Sequence, residues 1–130
     1  MDLKNFVPST DNVVVELKIK DKPLKNKDDT PMTITVMSPY SKQYKEAVNR
    51  LSNERIKLMK EKGEDEDRVT DYEEFALNVL VDTTVDWDIT WGEDKPKFSK
   101  ELAKEIYESA FWIKMLIKEA QAKLADFIVP

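Results

Sequence analysis

The alternation of apolar and polar positions divides the chain into a short β-patterned beginning and a long helical remainder. Val13, Val15, Leu17 and Ile19 alternate with Val14, Glu16, Lys18 and Lys20, the period-two rhythm of a half-buried strand. Met32-Thr33-Ile34-Thr35-Val36-Met37 repeats that rhythm with β-branched residues. Between them Asp21 to Pro31, rich in lysine, aspartate and proline, predicts a charged loop. Residues 12–37 are therefore expected to form an antiparallel strand pair. Two strands alone are marginal in water, so the ribbon must pack on helices or pair with another chain.

From Ser38 the period lengthens. Ser38 as N-cap and Pro39 at the first helical position predict a helix start, and Tyr40, Tyr44, Ala47, Val48, Leu51, Leu58 and Met59 then form one apolar stripe. Gly63 is a natural stop. Glu64-Asp65-Glu66-Asp67 reads as a solvated linker, because it lacks the residue order of a calcium loop. Thr70 and Glu73 fit a capping box for a second helix that buries Tyr72, Phe75, Ala76, Val79 and Leu80 and fades near Thr83-Thr84. Val85 to Gly92 reads as an aromatic turn region. Ser99 caps a third helix with Leu102, Ala103, Ile106 and Tyr107 inward, and after Glu108-Ser109 a fourth runs to about Ile128.

The fourth helix is unusual. Phe111, Trp112, Ile113, Met115, Leu116, Ile117, Ala120, Leu124, Phe127 and Ile128 cover more than half of its circumference, whereas a surface helix needs an apolar stripe only about 100° wide. Either it is the central core helix, gripped by the other three, or one side of it meets another protein chain. On the second reading the partner or self-association surface falls on Trp112, Met115, Leu116, Ile117, Leu124 and Phe127, joined by the edge of the strand pair at Val13 and Val15. The predicted fold is mainly α: about four helices in residues 38–130, a small N-terminal antiparallel β element, and a single domain over 1–130.

Composition narrows the chemistry. The chain has 130 residues, is 41% hydrophobic and 36% charged, and carries a net charge of -5. An acidic balance without a basic stripe argues against nucleic acid. The absence of histidine and cysteine removes zinc fingers, haem ligation, iron–sulfur clusters, thiol nucleophiles, Ser-His-Asp triads and disulfides. Two glycines cannot line a phosphate cradle. Asp86 and Asp88 flank Trp87 in the manner of a glycosidase pair, but they read equally as solvated turn residues beside a core tryptophan. Trp87, Trp91 and Trp112 read as core or hairpin packing, or as interface anchors. No catalytic residue, cofactor or metal ligand is assigned. The N-terminus lacks a signal-peptide core and no apolar run reaches a membrane span, which predicts a soluble intracellular domain.

The order of the elements resembles the tail assembly chaperones of long-tailed, non-contractile bacteriophages. The resemblance is carried by Pro31-Met32-Thr33-Ile34-Thr35-Val36 running into Ser38-Pro39-Tyr40-Ser41 and Tyr44, and by Glu74-Phe75-Ala76-Leu77-Asn78-Val79-Leu80-Val81 ending in Thr83-Thr84-Val85-Asp86-Trp87. It continues through Phe98-Ser99-Lys100-Glu101, Ile106-Tyr107-Glu108, the aromatic Phe111-Trp112-Ile113-Lys114-Met115-Leu116-Ile117 helix and the closing Asp126-Phe127. Each piece is a common helix start or core pattern, so the specificity lies in their order and spacing. The resemblance implies a non-enzymatic role in tail morphogenesis, in the host cytoplasm and outside the mature virion. The implied partners are the tape-measure protein, which such chaperones coat, and the tail-tube protein, recruited by a longer form made by ribosomal frameshifting. Self-association along the tape measure is implied as well; neither nucleic acid nor membrane is. Two other classes remain: a helical adaptor or regulatory interaction protein of a phage or bacterial genome, and a small carboxylate-dependent hydrolase.

Overall fold

A computed structural model describes residues 2–62 and 68–125. Its elements are a 3-10 turn (Leu3–Phe6), β1 (Val13–Glu16), β2 (Lys18–Ile19), β3 (Lys22–Pro23), β4 (Thr33–Val36), α1 (Lys42–Lys62), α2 (Arg68–Asp82), β5 (Thr84–Asp88), α3 (Lys100–Ser109) and α4 (Phe111–Lys123). Four helices and a small antiparallel sheet match the expected class.

The sheet has three strands, not two, in the order β1-β4-β5. Val13 faces Val36 and Val15 faces Ile34 across one seam, and Ile34 faces Trp87 across the other. The segment expected to be an aromatic turn supplies β5. Its alternation is readable in Asp86-Trp87-Asp88-Ile89, but a register shift at the β4 pair Thr35/Val36 leaves Val85 as an extra residue and breaks the period. Its pairing with β4 is also long-range, which no local pattern signals. Val15, Leu17, Ile34, Val36, Trp87 and Ile89 point inward, where α2, α3 and α4 meet them through Leu80, Val81, Ala103, Ile106, Tyr107, Ile113 and Ile117. The opposite face, with Val14 61% exposed and Glu16 and Asp86 beside it, is open to water.

The charged segment after β1 is not a loose loop. It folds as two successive hairpins. In the first, β2 and β3 pair through Lys18 with Pro23 and Ile19 with Lys22, and the turn residues Lys20 and Asp21 have φ of 51° and 67°. Both sit in the left-handed region that two-residue hairpin turns require. In the second, the Asn26 amide donates to Thr30 O at 2.8 Å and the Asp29 amide to Asn26 O at 2.9 Å, with Asp29 at φ 67°. Aspartate tolerates that region better than most residues, which is how a segment without glycine makes these turns. Leu17, Leu24 and Met32 join the hairpins at their root: Leu17 N donates to Met32 O, Leu24 N to Leu17 O and Met32 N to Leu24 O, each at 2.9 Å.

The first helix begins three residues later than Ser38-Pro39 implies. Ser38 instead opens a turn: its carbonyl accepts from the Ser41 amide at 3.0 Å and the Ser41 hydroxyl at 2.7 Å, while its own hydroxyl donates to Ser9 O at 2.7 Å. Ser41 is the helix cap, accepting from the Tyr44 amide at 3.2 Å. Leu58 and Met59, expected in the buried stripe, are exposed, because the far half of α1 runs past the core. Gly63 and the acidic run Glu64–Asp67 lie outside the described residues. The second helix starts at Arg68, ahead of Thr70.

Its end is set by two buried threonines. Thr84 Oγ1 donates to Leu80 O at 2.7 Å, and Thr83 Oγ1 donates at 2.8 Å to Val79 O, which also accepts the Thr83 amide at 3.0 Å, so both threonines close the last turn. Met37 N donates to Thr83 O at 2.8 Å, which ties the entry to α1 to the exit from α2. Asp82 pairs with Arg50 on α1 and with Lys100 of α3 at 3.3 Å. Since Thr84 Oγ1 donates to Leu80, the buried Tyr107 hydroxyl 2.7 Å away is the donor to it. Burial pushes the Tyr107 hydroxyl up to about 12, so it stays protonated as a donor.

Two outcomes follow from this packing. Tyr107→Phe removes the one hydroxyl and leaves a buried threonine lone pair unmet, and should lower unfolding free energy by about 1–2 kcal/mol in a urea titration. Asp21→Gly relieves a left-handed residue in the first hairpin turn and should raise it by roughly 0.5–1 kcal/mol in the same titration.

Candidate functional site

The last helix is not gripped on all sides. It joins α3 through a single residue, Ala110, whose φ of -124° and ψ of 80° end one helix and begin the next. The Ala110 amide still donates to Ile106 O at 2.8 Å, and its carbonyl accepts from Ile113 at 3.0 Å. The elbow therefore loses few backbone bonds while it lays α4 against β1. Ile113 and Ile117, one turn apart, enter the core, with Leu116 and Ala120 half-buried beside them. Each such isoleucine contributes about 1.5–3 kcal/mol by leaving water.

The outward side of α4 is what distinguishes it. Phe111 is 62% exposed, Met115 50% and Trp112 37%. Phe111 and Met115 are four residues apart and form a ridge along the helix, with Trp112 on its shoulder. The Lys114 ammonium lies 5.1 Å from the centre of the Phe111 ring, and Lys123 pairs with Glu119 at 3.3 Å. Of the residues nominated from sequence, the structure places Trp112 and Met115 on this surface, Leu116 half-buried against the core, and Leu124 half-buried just past the end of the helix. Phe127 lies outside the described residues.

Two of the nominations are corrected by burial. Ile117 is fully buried at 0% exposure and Val15 is 4% exposed. Both sit on the inward phase of their element, and Val13 is half-buried against the same core. The outward residue of β1 is Val14. Among the described residues, the edge that the strand pair offers is on β1, because β5 occupies the other side of β4. Phe111, absent from the nominated set, belongs to the surface. Sequence periodicity carries the signal: once Ile113 and Ile117 are taken as inward, positions 111 and 115 must face out.

A second polar cluster lies at the hairpin arm. Asn26 is buried, and its side-chain amide reaches Thr30 Oγ1 and Asp88 Oδ1, each at 3.1 Å, while its oxygen accepts from Thr90 Oγ1 at 2.6 Å. Lys95 bridges Asp88 at 2.9 Å and Asp28 at 3.2 Å. The Thr30 hydroxyl, with help from Lys95, pulls the Asp28 carboxyl down from 3.8 to about 2. Hydrogen bonds from the Lys95 ammonium to Asp88 and Asp28 raise the lysine above its ordinary value. These groups partner one another and hold the arm to β5.

That arrangement bears on the carboxylate pair around Trp87. The Trp87 ring is buried, donates from Nε1 to Pro96 O at 2.9 Å and meets Phe98 edge-on at 4.9 Å. Asp88 is engaged by Asn26 and Lys95, while Asp86 faces water on the open side of the sheet. The depression these residues line, about 270 Å³, is partly open to solvent, whereas general acids work in enclosed clefts. Among the described residues no group of three or more histidine, cysteine, aspartate or glutamate side chains is placed to hold a metal ion, and no helix is long and apolar enough to cross a membrane. In comparisons with known proteins, no family model, curated protein or solved structure matches the chain.

The arm's attachment is testable by pH. The Asp28 pKa is depressed in the folded state, so its contribution is full above the unfolded value of 3.8 and is lost as pH falls from there toward 2. Amide exchange at Asn26 and Thr30 should quicken over that window relative to core amides such as Ile117. In Asp28→Asn the quickening across the window should vanish.

Proposed function

We propose that this chain is a non-catalytic assembly chaperone of the phage-tail kind. It covers apolar surface on a long tape-measure protein in the host cytoplasm, helps recruit tail-tube subunits, and leaves before the tail is complete. The observation that carries the reading is the outward ridge of α4, where Phe111, Met115 and Trp112 stay exposed on a helix whose other face is fixed by Ile113 and Ile117. Large apolar side chains clustered on a rigid surface, on a protein kept soluble by its net charge of -5, suit reversible cover of another apolar surface. The resemblance in element order supplies the identity of the partner.

The test is co-expression with the protein encoded immediately downstream, followed by pull-down. The wild type should render that protein soluble and retain it. Phe111→Glu/Met115→Glu should lose at least ~10-fold of the retained partner with helical content kept and melting little changed, because both side chains are half or more exposed. Leu116→Glu is the contrasting variant: half-buried, it should lower the melting temperature. Retention of a partner unrelated to tails would move the assignment to a helical adaptor, and solubility of the downstream protein independent of this chain would sink the chaperone reading.

A further inference from the structure

We infer that the partner segment on α4 is an apolar helix edged by carboxylates, and that Lys114 and Lys118 meet that edge. The inference rests on the reading of α4 as the partner face and goes on to specify the chemistry of what sits there. Along one flank of the Phe111–Met115 ridge stand Lys114 and Lys118, one turn apart. Neither forms an ion pair among the described residues. Along the other flank stand Trp112 and the Glu119–Lys123 pair, whose charges match each other at 3.3 Å. The helix thus holds three lysines against one glutamate within a chain of net charge -5.

An uncompensated ammonium beside an apolar ridge loses water when the ridge is covered. That loss is unfavourable unless a carboxylate arrives with the covering surface. A wholly apolar or basic segment is therefore disfavoured by this flank, and an acidic-edged one is drawn to it. The segment is a helix because the paired rows Phe111–Met115 and Trp112–Leu116 leave a groove at four-residue spacing, which receives the four-residue ridge of another helix. Backbone groups within α4 bond one another, so it offers no edge to an extended strand. An anionic bilayer fits less well: the lysines without an ion pair border one flank only, and the chain as a whole is acidic.

The measurement is salt elution of the co-expressed downstream protein from immobilised chain. Wild type should retain it at low salt and release most of it between about 0.1 and 0.5 M NaCl, the range over which exposed charges are screened. Lys118→Glu and Lys114→Glu/Lys118→Glu should each hold at least about 5-fold less at low salt. The glutamine versions should lie between, all with wild-type melting. Equal retention by Lys118→Glu and salt-independent elution would overturn the lysine contact while leaving the α4 reading intact. No retention by the wild type would remove both. Co-sedimentation with phosphatidylserine-containing vesicles, lost in Lys118→Glu, would assign the flank to a membrane and overturn the inference.

Discussion

Pairing of β5 with β4 is the constraint on which the rest of the molecule depends. A ribbon of β1 and β4 alone has one apolar face and too little area to hold it. Adding β5 places Trp87 opposite Ile34 and Thr84 opposite Val36, and brings with it the helix that ends at Asp82. Thr83 and Thr84 then join sheet to helix: one accepts from Met37 through its carbonyl, and the other receives Tyr107 from α3. Those links fix α3, and α3 fixes α4 through the single-residue elbow at Ala110. The exposed ridge of the last helix is therefore positioned by a strand pairing nearly thirty residues earlier in the chain.

Rigid placement matters because exposure alone says little. Isolated apolar side chains on a surface are ordinary, and Leu3, Val7 and Ile19 are of that kind here. Phe111, Trp112 and Met115 differ in being contiguous on one helix and backed by Ile113 and Ile117 in the core. The backbone that carries them is already held, so the ordering cost of contact falls on the side chains alone. The arm shows the opposite solution. Asn26, Asp28, Asp88 and Lys95 satisfy one another, so its polar atoms are committed to holding structure.

Much of this architecture is written in local pattern. Ser99 caps α3 as its position implies, with the Leu102 amide 3.2 Å from its hydroxyl, and the inward set Ala103, Ile106 and Tyr107 is the one periodicity selects. The β1 and β4 strands are equally plain. What escapes the sequence is non-local or compensated. Val85 hides β5 by breaking its alternation, and hairpins built on Lys20-Asp21 and Asp29 lack the glycines that announce such turns. Ser38 is a good cap that the chain uses for a turn, because Ser41 lies three residues on and takes the helix. On α4 the ambiguity is one of phase. Apolar residues cover so much of the circumference that composition cannot say which side is inward, and only contact with β1 settles Ile117 as core and Phe111 as surface.

The same phase sets how strongly the surface can bind. Phe111, Trp112 and Met115 already have part of their area out of water, so covering the remainder contributes on the order of 3–6 kcal/mol in gross terms. Association itself costs about 4–15 kcal/mol in lost freedom. One such ridge against one partner helix is therefore a weak contact, even with the lysine flank paired. On the proposed function, weakness is what a temporary cover requires. Many copies along a repetitive partner would hold through multivalency, and each would leave when a growing tube competes for the same surface. A tighter ridge would block assembly, and a looser one would leave the partner's apolar surface exposed. On the proposed function, the partial exposure of Trp112 and the half-buried Leu116 behind it hold the ridge between those limits. Burying them further would remove the site, and exposing them would make this chain itself prone to aggregate.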